Sequence, residues 1–357
     1  MRAEWTLRNS VLGGREAPPQ RLASGFISPV HRLNCRQLAG IAALAIAIAG
    51  AASGPARAGD DTHWVGTWGA SPQLTTGDLV GTAPGFSNQT IRQIVRISVG
   101  SSKFRVRLSN EFGAQAVLIG DAHVAISAGR AAIKPGTDRV LTFSGSPTVT
   151  IPRRAAVLSD PVDLPAPNLT SLAVSLYLPQ STGPATWHVE GKQTAYIVAG
   201  DAAGAADIGA GATTSTSRFF LSGVEAASFE PKSAVVTFGD SITDGTNSTV
   251  DADHRWPDFL AARLAASHDD DTGVVDEGIS GNRLLHDIIG PNALSRFDRD
   301  VLATPGVRFM TVLLGINDIG FGGFVTTEAV TADEIIAAYR QLIARAHSRG
   351  IRIYGCT

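Results

Sequence analysis

From Thr62 to about Val224 the polar and apolar positions alternate with a period of two. Phe104, Val106 and Leu108 alternate with Arg105 and Arg107, and the run Ile91–Ile97 precedes them across the Gly100-Ser101-Ser102 turn. This spacing predicts a β-hairpin with one buried face and one cationic face in water. Further strand-like runs are Val117–Ile119, His123–Ser127, Val140–Phe143, Val149–Ile151, Leu172–Leu178 and Thr194–Val198. Pro135-Gly136, Pro152, Pro161 and Pro179 punctuate them. Many short strands without an amphipathic helix predict a β-sandwich or jelly roll over residues 59–230. The Gly/Ala/Thr-rich stretch 199–217 reads as a flexible loop or linker. Phe219-Phe220-Leu221 opens a last strand before Glu230-Pro231.

Beyond residue 231 the pattern changes. Ala234–Phe238 is a short, mostly apolar run bounded by Gly239, as expected of a buried parallel strand. Trp256–Leu264 reads as a helix with Pro257 in its first turn. Gly273–Asp276 and Arg308–Leu314 read as strands, and Leu294, Phe297 and Val301 mark a helical face. Thr331-Ala332-Asp333-Glu334 is a capping box opening a helix that carries Ile335, Tyr339, Leu342, Ile343 and Ala346 and closes at Gly350. Ile351–Tyr354 begins a fourth strand. Strands alternating with helices predict an α/β fold, a doubly wound parallel sheet over residues 231–357.

Before both regions lies the 15-residue apolar run Leu38–Ala52, with Arg32 and Arg36 ahead of it and Ala56-Arg57-Ala58 behind. That is the form of a secretory signal peptide with an extended leader over residues 1–58, and the run is short for a membrane span. The expectation is a secreted or periplasmic protein with no membrane association after cleavage; the alternative is a retained anchor.

Composition narrows the chemistry. Thirty basic and 32 acidic side chains give a formal net charge of −2, with no basic run that would suit nucleic acid. The two cysteines, Cys35 and Cys356, make neither a disulfide framework nor a thiolate metal site. His63, His123 and His188 are scattered singly, as surface or packed residues rather than metal ligands. No cofactor or metal is expected, and the sequence does not fix the oligomeric state.

Candidate chemistry collects at Gly239-Asp240-Ser241-Ile242-Thr243-Asp244-Gly245, directly after the strand Ala234–Phe238. In open α/β sheets, active sites form beyond the carboxyl ends of the strands. Gly278-Ile279-Ser280-Gly281-Asn282-Arg283 and Gly315-Ile316-Asn317-Asp318 follow at later strand ends. These three blocks, in this order, resemble the SGNH (GDSL) hydrolase family over about Ser233–Thr357. The resemblance implies a flavodoxin-like parallel sheet and a serine esterase or acylhydrolase. Ser241 would be the nucleophile; its own N–H, the Gly281 N–H and the Asn317 side-chain amide would be the oxyanion donors.

In the family the general base is a histidine in an Asp-x-x-His block after the last strand. No such block follows here, and the hydrolase domain is therefore expected to be C-terminally truncated. Asp60–His63 and Asp251–His254 match by letter; His254 is the candidate substitute base. An extracellular β domain ahead of such a hydrolase resembles arylesterase-like and xylan-associated relatives. That points to a small ester or acylated carbohydrate as substrate. The alternatives are a lipase-like or aryl esterase on small soluble esters, or a carbohydrate-binding protein with a degenerate hydrolase half. Trp64, Trp68 and Trp187 are candidates for sugar stacking or, more simply, for core.

Overall fold

The computed structural model describes residues 62–357, except 75, 78, 80 and 268–270. The expected signal peptide lies outside the described residues. In chain order the main elements begin with β1 (His63–Gly69), β2 (Gln89–Arg96), β3 (Ser101–Ser109), β4 (Asp121–Gly129), β5 (Ser171–Leu178), β6 (Trp187–His188), β7 (Ala195–Ala199) and β8 (Leu221–Ser228). There follow β9 (Ser233–Gly239), α1 (Ser241–Asp244), α2 (Trp256–Ala266), β10 (Thr272–Gly278), α3 (Ala293–Phe297), β11 (Val307–Leu313), α4 (Ile316–Gly322), α5 (Ala332–Ser348) and β12 (Arg352–Gly355).

The β region contains two antiparallel sheets. One runs β1–β8–β3, with the short strands Ala156–Leu158 and Val162–Ala166 on the far side of β3. The other runs β7–β2–β5–β4, with short strands at both ends. Alternation buries one face of each, so Phe104, Val106 and Leu108 of β3 share a core with Ile91 and Val95 of β2 and Leu172, Val174 and Leu176 of β5.

The expected β2–β3 hairpin does not form. β2 pairs with β5 and β7, whereas β3 pairs with β8 and the two short strands. The chain changes sheets at Gly100, whose N–H donates to Asn168 Oδ1 (2.6 Å) and where any Cβ would collide with the backbone of Ala166 and Pro167. Nor is the polar face of β2 in water. Arg92 is fully buried and donates to Ser175 Oγ and to the carbonyls of Ala131, Ala203 and Ala205 at 2.7–3.0 Å. The Ala203 and Ala205 bonds pin the stretch 199–217, which folds back onto the sheet: Ala203 and Ile208 are buried beside Ile94 and Tyr196, and Thr213–Ser215 pairs with β7.

The α/β region is a four-stranded, all-parallel sheet in the order β10–β9–β11–β12, the 2-1-3-4 order of flavodoxin-like folds. Val236, Phe238, Met310 and Val312 pack against Phe297, Val301, Leu342 and Ala346 from the helices. The capping box expected at Thr331–Glu334 opens α5, with both reciprocal bonds made. Both regions lie within one compact unit, Asp61–Thr357. At their seam β1 runs so close to β10 that a Cβ on Gly273 would strike the Gly66 carbonyl. The Val274 N–H, on the sheet's edge, donates to Ser98 Oγ (2.8 Å), so the β region covers that edge.

Candidate active site

Register brings the three sequence blocks to one height. Gly239 pairs with Gly278 on one side and with Leu313 on the other, so the Gly239–Gly245 turn, the Gly278–Arg283 turn and the Gly315–Asp318 turn all leave the sheet at its carboxyl end. The Ile279 N–H bonds the Gly239 carbonyl (3.1 Å) and the Asp240 N–H bonds the Leu313 carbonyl (3.2 Å), extending the ladder one step past the strands.

Ser241, half-buried, is the first residue of α1. Asp240 caps that helix, its Oδ1 accepting the Ile242 N–H at 3.0 Å. Burial pushes the Asp240 carboxyl above its ordinary pKa. Gly245 closes the helix in the left-handed region, at φ 86°. The helix descends onto β10 so tightly that a Cβ at Gly278 would collide with the backbone of Asp244, which explains a glycine at that strand end.

Gly281 has φ +76°, and its turn is roofed by the Ile289 side chain. The adjacent Asn282 is buried, its amide donating to the Pro291 carbonyl (2.8 Å) and its Oδ1 accepting from Arg296 Nε (3.0 Å). Asn317 Nδ2 donates to the Asn282 carbonyl at 3.0 Å, which fixes its side chain beside the Gly281 turn and leaves the second amide hydrogen for another acceptor. Asp318 receives the Leu284 and Leu285 N–H groups at 2.8–3.1 Å, tying the third block to the second.

Sequence reasoning missed two supports. Arg296, fully buried and stacked 4.0 Å over the Phe238 ring, donates to the carbonyls of Gly239 (2.9 Å) and Glu277 (2.7 Å), to Asn282, and to Asp300 (2.9 Å). Against the pull of burial, Arg299 and Arg296 hold the Asp300 carboxyl below its ordinary range. Nothing in the pattern around Leu294 and Phe297 separates this arginine from a surface one. The second is Asp244, three residues after Ser241. Its Oδ2 accepts the N–H (2.7 Å) and hydroxyl (2.8 Å) of Ser280, locking α1 to the turn that presents Gly281. A second aspartate inside the Gly-Asp-Ser block was its signal.

The described histidines stand elsewhere. His254 is exposed and stacks on Phe259, with ring centroids 5.5 Å apart; His347 is exposed on α5, and His286 is half-buried. His123 sits between Asp138 (2.8 Å) and Asp121 (3.1 Å) in the β region. His188 is buried against Asp244. None of them hydrogen-bonds the Ser241 hydroxyl. Trp68 and Trp187 are buried, and Trp64 lies under the Arg105 guanidinium at 4.0 Å.

A Gly-Asp-Ser turn at the switch point of a 2-1-3-4 parallel sheet, joined by Gly281 and Asn317 from the next two strand ends, is the SGNH-type α/β hydrolase fold. Residues 237–357 match the model of the GDSL-like lipase/acylhydrolase family. Among solved structures, similarity is found to an acetyl xylan esterase (24% identity, 35% of this chain and 57% of that one, TM-score 0.28). It is also found to an acetylxylan esterase from Geobacillus stearothermophilus (24%, 34% and 58%, TM-score 0.28). A third is the inhibitor-bound aryl esterase of M. smegmatis (20%, 34% and 62%, TM-score 0.28). The chain spans less than two thirds of the length of each. No curated protein matches it.

Proposed function

We propose that the protein is an exported serine esterase that hydrolyses small carboxylic esters, acetylated carbohydrates among them. Ser241 Oγ attacks the ester carbonyl; the alcohol leaves with a proton; water then releases the acid from the acyl-serine. The N–H groups of Ser241 and Gly281 and the Asn317 amide bind the oxyanion. A general base hydrogen-bonded to Ser241 Oγ completes the reaction. The observation that carries this reading is the convergence of three chain-distant blocks at one end of the parallel sheet, with the Asn317 amide fixed beside the Gly281 turn. The two-sheet β region is read as a sandwich. The Leu38–Ala52 run and Ala56-Arg57-Ala58 support export, with cleavage after Ala58; N-terminal sequencing of secreted protein checks it.

Labelling with a fluorophosphonate probe, read by peptide mass spectrometry, tests the nucleophile. Ser241 is the residue expected to be modified, and Ser241→Ala is expected to lose p-nitrophenyl acetate turnover. Full activity in that variant would end the proposal. Asn317→Ala should lower kcat by about 10²–10³-fold, with a smaller change in KM, because its donor matters most once charge has moved to the carbonyl oxygen. An effect on KM alone removes Asn317 from the oxyanion hole.

A further inference from the structure

Ester hydrolysis by the α/β region leaves the β region without a task, yet three β-region side chains end on residues that support the candidate site. Ser71 Oγ donates to Asp300 Oδ2 (2.6 Å). Gln73 Nε2 donates to the carbonyl of Ile289 (2.7 Å), the residue that roofs Gly281. His188 Nε2 lies 3.0 Å from Asp244 Oδ1.

The histidine contact carries the most chemistry. The side chains of His188 and Asp244 are 4% and 1% exposed. His188 Nδ1 lies 3.0 Å from the Ser71 carbonyl oxygen, which can only accept a hydrogen bond. Nε2 faces a carboxylate that already accepts two bonds from Ser280 on its other oxygen. Only a ring protonated on both nitrogens donates to both partners. The backbone on either side of His188 is tied to Gln73: the Gln73 N–H bonds the Trp187 carbonyl, and the Val189 N–H bonds Gln73 Oε1 (2.8 Å).

We propose that His188 is a positioning residue for this site: as an imidazolium held between the Ser71 carbonyl and Asp244, it fixes the Asp244 carboxylate. Asp244 in turn sets the spacing between the Ser241 helix and the Gly281 donor turn. The inference rests on Ser241 being the nucleophile. It assigns the β region a part in the reaction rather than in substrate capture alone.

Electrostatics agree with the geometry. Burial alone would lower the His188 pKa, but the Asp244 charge and the bonds to Asp244 and Ser71 outweigh it and raise the value. The other charged groups facing the pair are Asp276, Arg255 and Arg218. Asp276 is pushed up to about 7 by burial, and its Oδ2 lies 3.2 Å from Arg255 Nη1. Arg218 is paired with His188 between β6 and the short strand Arg218–Phe219. Because the native pKa of His188 is raised, the clamp is complete below the ordinary histidine value of about 6.5 and fails as pH rises through the native value.

The test compares wild type, His188→Gln and His188→Ala, with Asp276→Asn to remove the other group that titrates nearby. In ¹⁵N-histidine NMR at pH 6, one solvent-protected ring should be protonated on both nitrogens; a single-proton ring at His188 would overturn the proposal. In His188→Ala, kcat for p-nitrophenyl acetate and the rate of fluorophosphonate labelling should fall about 10- to 100-fold, with KM within about threefold. His188→Gln, which keeps one donor but no titration, should recover most of the rate. It should also lose an alkaline decline that persists in Asp276→Asn. Folded His188 variants, judged by their melting transitions, that label at the wild-type rate would overturn the positioning role alone. A wild type that labels elsewhere than Ser241 overturns the esterase reading, and the positioning role with it. If His188→Ala does not fold, the Gln variant and the wild-type NMR titration decide.

Discussion

The two regions bury arginines in opposite ways. In the β region, Arg92 and Arg218 hold neutral oxygens. Arg92 gathers three loop carbonyls and a serine hydroxyl, and Arg218 reaches only the Gln193 and Gly191 carbonyls, both at 3.3 Å. Burial drives the Arg218 pKa down to about 9. In the α/β region each buried guanidinium meets a carboxylate. Arg296 and Arg299 share Asp300 (2.9 and 2.5 Å), Arg255 meets Asp258 and Asp276 (3.1 and 3.2 Å), and Arg283 meets Glu328 (2.7 Å). A guanidinium that only organises carbonyls ties loops to a sheet. One neutralised by carboxylates can be placed under strand ends, where it fixes the backbone of the candidate site.

Breaking one member of each class should separate them. Arg296→Met strips Asp300 of one partner and releases the Gly239 and Glu277 carbonyls, so urea unfolding should report a loss of about 3–5 kcal/mol. Arg218→Met removes two long hydrogen bonds and an unpaired buried charge; its expected cost is about 1–2 kcal/mol at most. Equal costs would erase the distinction drawn between the regions.

The pH dependence sharpens the same contrast. Asp276 (about 7), Glu277, Asp240 and Asp253 all have raised native pKa values, with burial the largest cause in each, and all belong to residues 231–357. A raised carboxyl binds its proton in the native state over a range where the unfolded chain has lost it. Stability from these groups is therefore present near pH 4 and is lost as pH rises through the native values. His188 acts with the same sign above about pH 6.5. The melting temperature should rise as pH falls from 8 to 5.5. Asp276→Asn should flatten that slope, by at most about 1.4 kcal/mol per pH unit. A melting temperature independent of pH over this range would contradict the burial of these carboxyls. The smallest effect belongs to the exposed Lys103–Asp163 pair of the β region (3.7 Å), where Lys103→Ala should change stability by less than about 0.5 kcal/mol.

What was legible in the sequence follows from how local each signal is. The run Ala234–Phe238, the Pro257 helix start and the Thr331–Glu334 capping box are local, and each lies where it was expected. The three glycine-rich blocks predicted one site because each closes a strand of the same sheet. Partner choice is not local. The alternation in β2 and β3 identified two strands correctly but could not show that they belong to different sheets, a choice made where the chain turns at Gly100. Arg92 read as a surface charge because its acceptors come from loops about 40 to 110 residues away. Asp244 lay in plain view inside a block, but its histidine comes from the β region, 56 residues earlier in the chain.

The glycine seam between β1 and β10 has a consequence for inheritance. Gly66 and Gly273 approach so closely that neither surface tolerates an ordinary side chain, and Ser98 satisfies a backbone group on the parallel sheet's edge. A gene fusion that joined this parallel sheet to a different front region would leave the edge bare and the groove at Gly273 unfilled. Such a chimera loses its partner surface before it loses any residue of the candidate site. The two regions are therefore a single heritable unit.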